Sequence, residues 1–234
     1  MSSQFGEDIV TDGLLFYVDA NNKKSYLGSG TVVDDLVGTS TGTLNNATFD
    51  TAGYFDFDGN DDWISFTAPT NAPTGDEART ISCWLQMGHA TNRMHVFGYG
   101  TGTSYRTFSL EISSYGSTDR AVALMAWDLI WEGPNTLLTI DTWHYCTIAY
   151  AGNTVNTSTL KIYVDGQDAG LSRTYGGDNV TLNTPAENFK AGLRPTGTDL
   201  DFTGYLSAVH FYNRQLTAEE VEHNFNAQRD IYGV

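Results

Sequence analysis

Two groups of side chains in this 234-residue chain have the types and spacing to do chemistry. The first is a set of carboxylates. Asp58, Asp61 and Asp62 fall within five residues, Asp19 closes an earlier apolar run, and Asp199 and Asp201 come late in the chain. Hard oxygen donors gathered on loops are what Ca2+ takes as ligands, so Asp19, Asp58, Asp61 and Asp62 are candidate calcium ligands. The run is not an EF-hand loop, since it has no glycine at the sixth position and no glutamate at the twelfth. It also suits a β-turn whose Asx side chains bond their own backbone. The second group is Trp127, Asp128 and Trp131, within Met125-Ala126-Trp127-Asp128-Leu129-Ile130-Trp131-Glu132-Gly133. Indole faces can stack on sugar rings beside a carboxylate that accepts hydrogen bonds from hydroxyls, so these three are candidate glycan-binding residues. The same spacing equally suits ordinary core packing of both rings.

Catalytic patterns are missing from the remaining residues. Retaining glycoside hydrolysis needs two carboxylates about 5 Å apart. Glu111 and Glu132 stand alone in the sequence, while Glu219, Glu220 and Glu222 belong to one helical segment. There is no His-Glu-x-x-His, Gly-x-Ser-x-Gly, phosphate-binding loop or zinc-type cysteine spacing. The five histidines, His89, His95, His144, His210 and His223, are dispersed. These absences predict a protein that is not an enzyme. A net charge of -16 with twelve scattered basic residues argues against nucleic acid, which needs clustered Lys and Arg. The first residues carry no basic and apolar signal pattern, and no apolar run reaches membrane-spanning length. Synthesis in the cytoplasm, without a signal peptide and with no membrane partner, is the expectation.

The elements that must position these groups read as strands. Trp143 to Tyr150 and Leu160 to Val164 alternate in period two, and Asp165-Gly166 follows as a tight-turn dipeptide. Cys146, Ile148 and Tyr150 share one face, as do Leu160, Ile162 and Val164. Leu14–Val18, Tyr54–Phe57, Trp63–Phe66, Met94–Tyr99, Thr107–Ile112, Ala121–Trp127 and Gly204–Tyr212 repeat the theme. In Thr80–Gln86, Ile81, Cys83 and Leu85 face opposite to Trp84. The Gly/Ser/Thr-rich stretch from Asn22 to Leu44 reads as a surface excursion. Many short strands punctuated by Gly, Asn and Asp predict an all-β, two-sheet antiparallel jelly-roll sandwich. A chain this size can bury roughly 70% of its unfolded surface, enough for one core. We expect an N-terminal arm over residues 1–12 and a single domain over 13–234. One helix is signalled near Ala218 to Gln228. Thr217 and Glu220 form a capping box, Leu216 staples onto Val221, and Val221 and Phe225 make the docking stripe.

Several of these motifs carry a family resemblance. Thr80-Ile81-Ser82-Cys83-Trp84-Leu85, Trp143-His144, Tyr163-Val164-Asp165-Gly166 and Phe211-Tyr212-Asn213-Arg214-Gln215-Leu216-Thr217-Ala218-Glu219-Glu220 resemble the laminin-G-like branch of the concanavalin A-like lectin/glucanase superfamily. Gly13-Leu14-Leu15-Phe16-Tyr17-Val18-Asp19-Ala20 and Phe57-Asp58-Gly59-Asn60-Asp61-Asp62-Trp63-Ile64 extend the likeness into the N-terminal half. The combination is similar to laminin-G-like structural proteins of tailed bacteriophages. The resemblance implies two facing sheets of six or seven strands, one of them concave, with a short terminal helix. It implies a non-catalytic virion structural protein on the particle surface, as capsid decoration or part of a tail fibre. Its partners would be other virion proteins and further copies of itself in a homo-oligomer. The alternative is a carbohydrate-binding adhesin that recognises host surface polysaccharide, a role compatible with the same particle. Pentraxins, relatives of this family, place a disulfide at the positions of Cys83 and Cys146. Folding in a reducing compartment favours two buried thiols instead. The pentraxin calcium cluster has no counterpart here, because Leu193-Arg194-Pro195-Thr196-Gly197-Thr198 carries no carboxylate.

Overall fold

A computed structural model describes residues 8–88, 93–113, 120–135, 137–197 and 199–234. The chain opens with β1 (Leu14–Asp19), β2 (Val32–Asp34), β3 (Thr41–Asn45), β4 (Thr48–Asp50), β5 (Tyr54–Asp58) and β6 (Trp63–Phe66). Four longer strands follow: β7 (Arg79–Met87), β8 (Met94–Gly100), β9 (Thr107–Ser113) and β10 (Ala121–Met125). Next come β11 (Ile130–Glu132), β12 (Trp143–Tyr150), β13 (Thr154–Val155), β14 (Leu160–Val164), β15 (Gln167–Asp168) and β16 (Ser172–Tyr175). The chain ends with β17 (Val180–Thr181), β18 (Phe189–Ala191), β19 (Thr203–Tyr212) and α1 (Ala218–Tyr232). One sheet runs β15-β14-β12-β7-β19-β5-β4 with β1 also paired to β19; the other runs β16-β11-β10-β9-β8-β18-β6-β3-β2. All pairings in these two sheets are antiparallel. This is the expected sandwich. The surface excursion is a correction: two strands, β2 and β3, form one edge of the second sheet within it.

Period-two alternation decides what each face holds. Ile81, Cys83 and Leu85 of β7, Cys146, Ile148 and Tyr150 of β12, and Leu160, Ile162 and Val164 of β14 all enter the core between the sheets. Phe108, Leu110 and Ile112 of β9 and Val122 and Leu124 of β10 meet them from the other side. Phe16, Phe66, Phe97 and Phe189 fill the centre with ring centroids 5.1 to 6.4 Å apart, mostly in edge or tilted contacts. Cys83 and Cys146 pair directly in register across β7 and β12, and both are free, fully buried thiols. Burial pushes both thiols well up, which keeps them protonated and unreactive.

The outer face of the first sheet is covered by α1. The capping box forms as expected, with Thr217 Oγ1 accepting from Glu220 N and Glu220 Oε2 accepting from Thr217 N. The helix continues one turn past the predicted end, to Tyr232, with Gly233 closing it at φ 72°. The reason is Trp84. Its indole stacks on Tyr232 at 4.1 Å and on Phe225 at 5.7 Å, and its Nε1 donates to Gln228 Oε1 at 2.9 Å. Docking therefore recruits residues that apolar periodicity alone does not mark. Asp8 and Val10 lie here too. Asn224 Oδ1 accepts from Val10 N, Tyr212 donates to Val10 O, and His223 Nε2 lies 2.8 Å from Asp8 O. Both described ends of the chain thus meet on this face.

The Asp165-Gly166 turn behaves as its dipeptide predicts, with φ 51° and 77°. Asp165 then binds backward: its Oδ1 accepts from Tyr145 N at 2.9 Å and its Oδ2 lies 2.8 Å from His144 Nδ1. His144 Nε2 accepts from Thr139 N, so this histidine fastens a loop.

Candidate functional site

The outer face of the second sheet is built differently. β10 and β11 are joined by only two residues outside the closing pair, Trp127 and Asp128, with Ala126 N donating to Leu129 O at 2.9 Å. Both have positive φ, 40° and 59°, as a type I′ turn requires. Asn-Gly satisfies those angles without cost and aspartate tolerates them; tryptophan does not, and such a residue holds about 1–3 kcal/mol of strain there. The expected strand to Trp127 therefore stops at Met125, where the hairpin begins. Met125 Sδ accepts from Trp127 N at 2.8 Å and Trp127 O accepts from Tyr105 N at 3.0 Å. Asp128 Oδ2 accepts from Ser104 Oγ. Gly102 lets its loop close onto the indole, because a Cβ there would sit 3.2 Å from the ring and 2.7 Å from Thr196 Oγ1.

This turn decides the fate of the two tryptophans. Leu124 pairs with Trp131 and Met125 with Ile130, so Trp131 shares the inward face of Leu124. Trp131 is 4% exposed and belongs to the core, which removes it from the glycan-binding set. Trp127 and Asp128 stay outside and line a pocket of about 370 Å³. Its floor is Met125 and Ile130, which with Ala123 form a small apolar cluster apart from the core. Its walls are Trp127, Tyr175, Arg93 and Arg194. Tyr175 is 56% exposed, and the Arg194 guanidinium lies 4.8 Å from the Trp127 ring centroid. Arg93, Arg194 and Tyr175 escaped the sequence reading because they come from three separate segments and share no motif.

Beside the pocket lies a buried polar rank. His95 pairs with Glu111, and Ala123 pairs with both Glu111 and Glu132. The two glutamates, isolated in sequence, therefore share this face two strands apart, or about 10 Å between Cα atoms. Glu111 is fully buried; Arg93 Nε lies 2.8 Å from its Oε2, and His95 Nδ1 lies 3.7 Å from its Oε1. Such a carboxylate holds an arginine in place.

The acidic residues divide. The described residues contain one carboxylate cluster of metal-binding geometry: Asp58, Asp61 and Asp62, with ligand atoms within 4.8 Å of one another. Asp58 and Asp61 are exposed and Asp62 is buried. Part of each donor set is already used locally, since Asp62 Oδ2 accepts from Asp58 N and Asp58 Oδ1 from Asn60 N. Burial, then repulsion from Asp58 and Asp61, raises the Asp62 carboxyl; burial, then Asp199, Asp61 and Asp58, raises Asp201. A divalent cation would relieve that repulsion, so three hard oxygen donors here fit Ca2+. Asp19 is a correction. It lies outside this cluster, its Oδ1 accepts from Asn21 N, and its Oδ2 accepts from the Tyr17 hydroxyl. Burial raises its carboxyl too.

Comparison with known proteins bears on the fold. Residues 58–222 match the laminin-G family profile described as Concanavalin A-like lectin/glucanases superfamily. Among solved structures, Trypanosoma rangeli sialidase in complex with sialic acid is similar at TM-score 0.68 and 16% identity, covering 99% of this chain and 37% of the sialidase. The HCR/D F1240A mutant is similar at TM-score 0.64 and 13% identity, covering 94% of this chain and 53% of its own. The botulinum neurotoxin serotype D binding domain is similar at TM-score 0.62 and 15% identity, with 93% and 52% coverage. No curated protein matches by sequence. The chain spans about a third of the sialidase and about half of the HCR/D mutant and of the neurotoxin binding domain, and likeness at these identities speaks for the fold alone. With a family match over most of its length, two facing antiparallel sheets and a capped terminal helix, the chain belongs to the concanavalin A-like lectin/glucanases superfamily, in its laminin-G branch.

Proposed function

We propose that this domain is a non-catalytic structural component displayed on a tailed-bacteriophage particle, where it recognises carbohydrate through the Trp127 pocket. The observation that carries the recognition half is a bulky aromatic held at φ 40° on a two-residue hairpin tip, beside an open pocket. Backbone strain of this kind persists where surrounding structure over-determines it, and it concentrates at binding sites. An apolar floor, an aromatic wall and a few polar groups are the composition of a small-ligand pocket. The virion setting, the other virion proteins as partners and a homo-oligomeric assembly rest on the sequence resemblance to phage structural proteins. The non-catalytic reading is supported by Glu111. General acid catalysis needs a carboxyl within reach of the ligand, and this one is buried against Arg93.

Ca2+ is proposed as a cofactor at Asp58, Asp61 and Asp62. A glycan array probed with the intact protein, with and without EDTA, tests both ideas. We expect saccharide binding that falls at least tenfold in Trp127→Ala. A hit list unaffected by that substitution removes the pocket from the reading. Binding and thermal stability that ignore EDTA remove calcium. Release of shortened oligosaccharides from any bound glycan overturns the non-catalytic assignment.

A further inference from the structure

The pocket beside Trp127 sits in a chain of net charge -16, yet two of its walls are guanidinium groups. Each is held from behind, in a different way. Arg93 Nε lies 2.8 Å from Glu111 Oε2, and the Glu111 side chain is 1% exposed. Arg194 lies over the Trp127 ring, and its Nη1 is 3.4 Å from the well-exposed Asp199 carboxylate. A pair of that length with an exposed carboxylate contributes little and exchanges readily. Arg93 Nε faces Glu111 Oε2 in an ion pair, and among the described residues none accepts a hydrogen bond from the Arg93 guanidinium. The end of a guanidinium presents two parallel N–H bonds, which match the two oxygens of a carboxylate or sulfate.

Electrostatics at the pocket is decided nearby. Exposed charges beyond about 8 Å are largely screened at physiological salt, so the remote carboxylates that make the chain acidic weigh little here. The acid on the pocket wall is Asp128, whose Oδ2 already accepts from Ser104 Oγ. A volume of about 370 Å³ suits one sugar residue better than a run of them. Met125 and Ile130 offer that residue an apolar floor, and Trp127 a ring face.

We propose that the pocket takes the anionic terminal residue of a saccharide. Its carboxylate or sulfate pairs with Arg93 and Arg194, its ring face lies on Trp127, and Glu111 acts as a positioning residue that fixes the Arg93 fork. This rests on the saccharide reading above and adds the charge class of the ligand. Calorimetry of the intact protein with three trisaccharides of equal length tests it, one ending in a uronic acid, one in a 6-sulfated hexose and one in the neutral hexose. We expect at least one acidic ligand to bind tenfold or more tightly than the neutral one. The preference should shrink in 0.5 M salt and fall to within twofold in Arg93→Gln. Arg194→Gln, whose partner is exposed, should do the same without risk to the core. Glu111→Gln should lower the acidic preference and add nothing further in the Arg93→Gln background, which a purely structural role would not produce. Whether the uronate or the sulfate is favoured identifies the anion. Equal Trp127-dependent binding of acidic and neutral ligands overturns this inference and leaves the saccharide reading standing. A folded protein that binds no saccharide of either charge overturns both.

Discussion

Two turns of one geometry carry opposite sequences. Asp165-Gly166 holds positive φ with residues that tolerate it, and its side chain fastens His144 and Tyr145 N. Trp127-Asp128 holds the same signs of φ, but with a tryptophan that resists it. The first was legible because composition and conformation agree. The second was not, because a tryptophan gives no turn signal and the strand pattern runs smoothly up to it. The mismatch makes a measurable statement about Trp127. Truncating a buried tryptophan ordinarily costs about 3–5 kcal/mol. For Trp127→Asn, relief of strain should offset most of the lost packing, leaving a change of under about 1 kcal/mol in chemical denaturation. Glycan binding should disappear in the same variant. A loss above about 3 kcal/mol would make the indole a packing residue and sink its role as a platform.

At the scale of elements, alternation was the readable signal and register was the hidden one. The inward faces of β7, β12 and β14 follow directly from period two, and all nine of their assigned residues reach the core. Ile148 is the central case: it pairs with Ile81 on one side and Ile162 on the other, and is fully buried. Ile148→Asp would leave a charge there without a partner, a cost of more than about 4 kcal/mol against a typical total of 5–15. We expect it to abolish folding; a soluble variant with an unchanged melting temperature would contradict the facing. Register, by contrast, depends on turn length, and a two-residue turn after Met125 sends Trp131 inward and Trp127 outward. A loop one residue longer or shorter would have turned Trp131 outward. The same hidden register aligns Glu111 with Glu132 across Ala123. The helix shows a third kind of limit. Its start is written in the capping box, but its last turn is fixed by Tyr232 stacking on Trp84, a residue 148 positions away in the chain.

At the scale of the whole molecule, a chain of net charge -16 carries an arginine-walled pocket. Net charge of this size favours solubility and opposes self-association at low salt, so copies that assemble must do so through specific contacts. The proposed display on a virion is checked by mass spectrometry of purified particles together with cryo-microscopy. The chain should appear at a copy number that matches a symmetric position on capsid or tail, and its absence from clean particles would remove the virion from the reading. The placement of the two described ends bears on any such arrangement. Asp8 and Val10 meet α1 on the outer face of one sheet, and the Trp127 pocket opens on the outer face of the other. Tethering by either end would therefore turn the arginines and the indole away from the support, as a lamp faces away from its bracket. Immobilisation through an N-terminal or a C-terminal tag should leave the ligand's path from solution equally unobstructed.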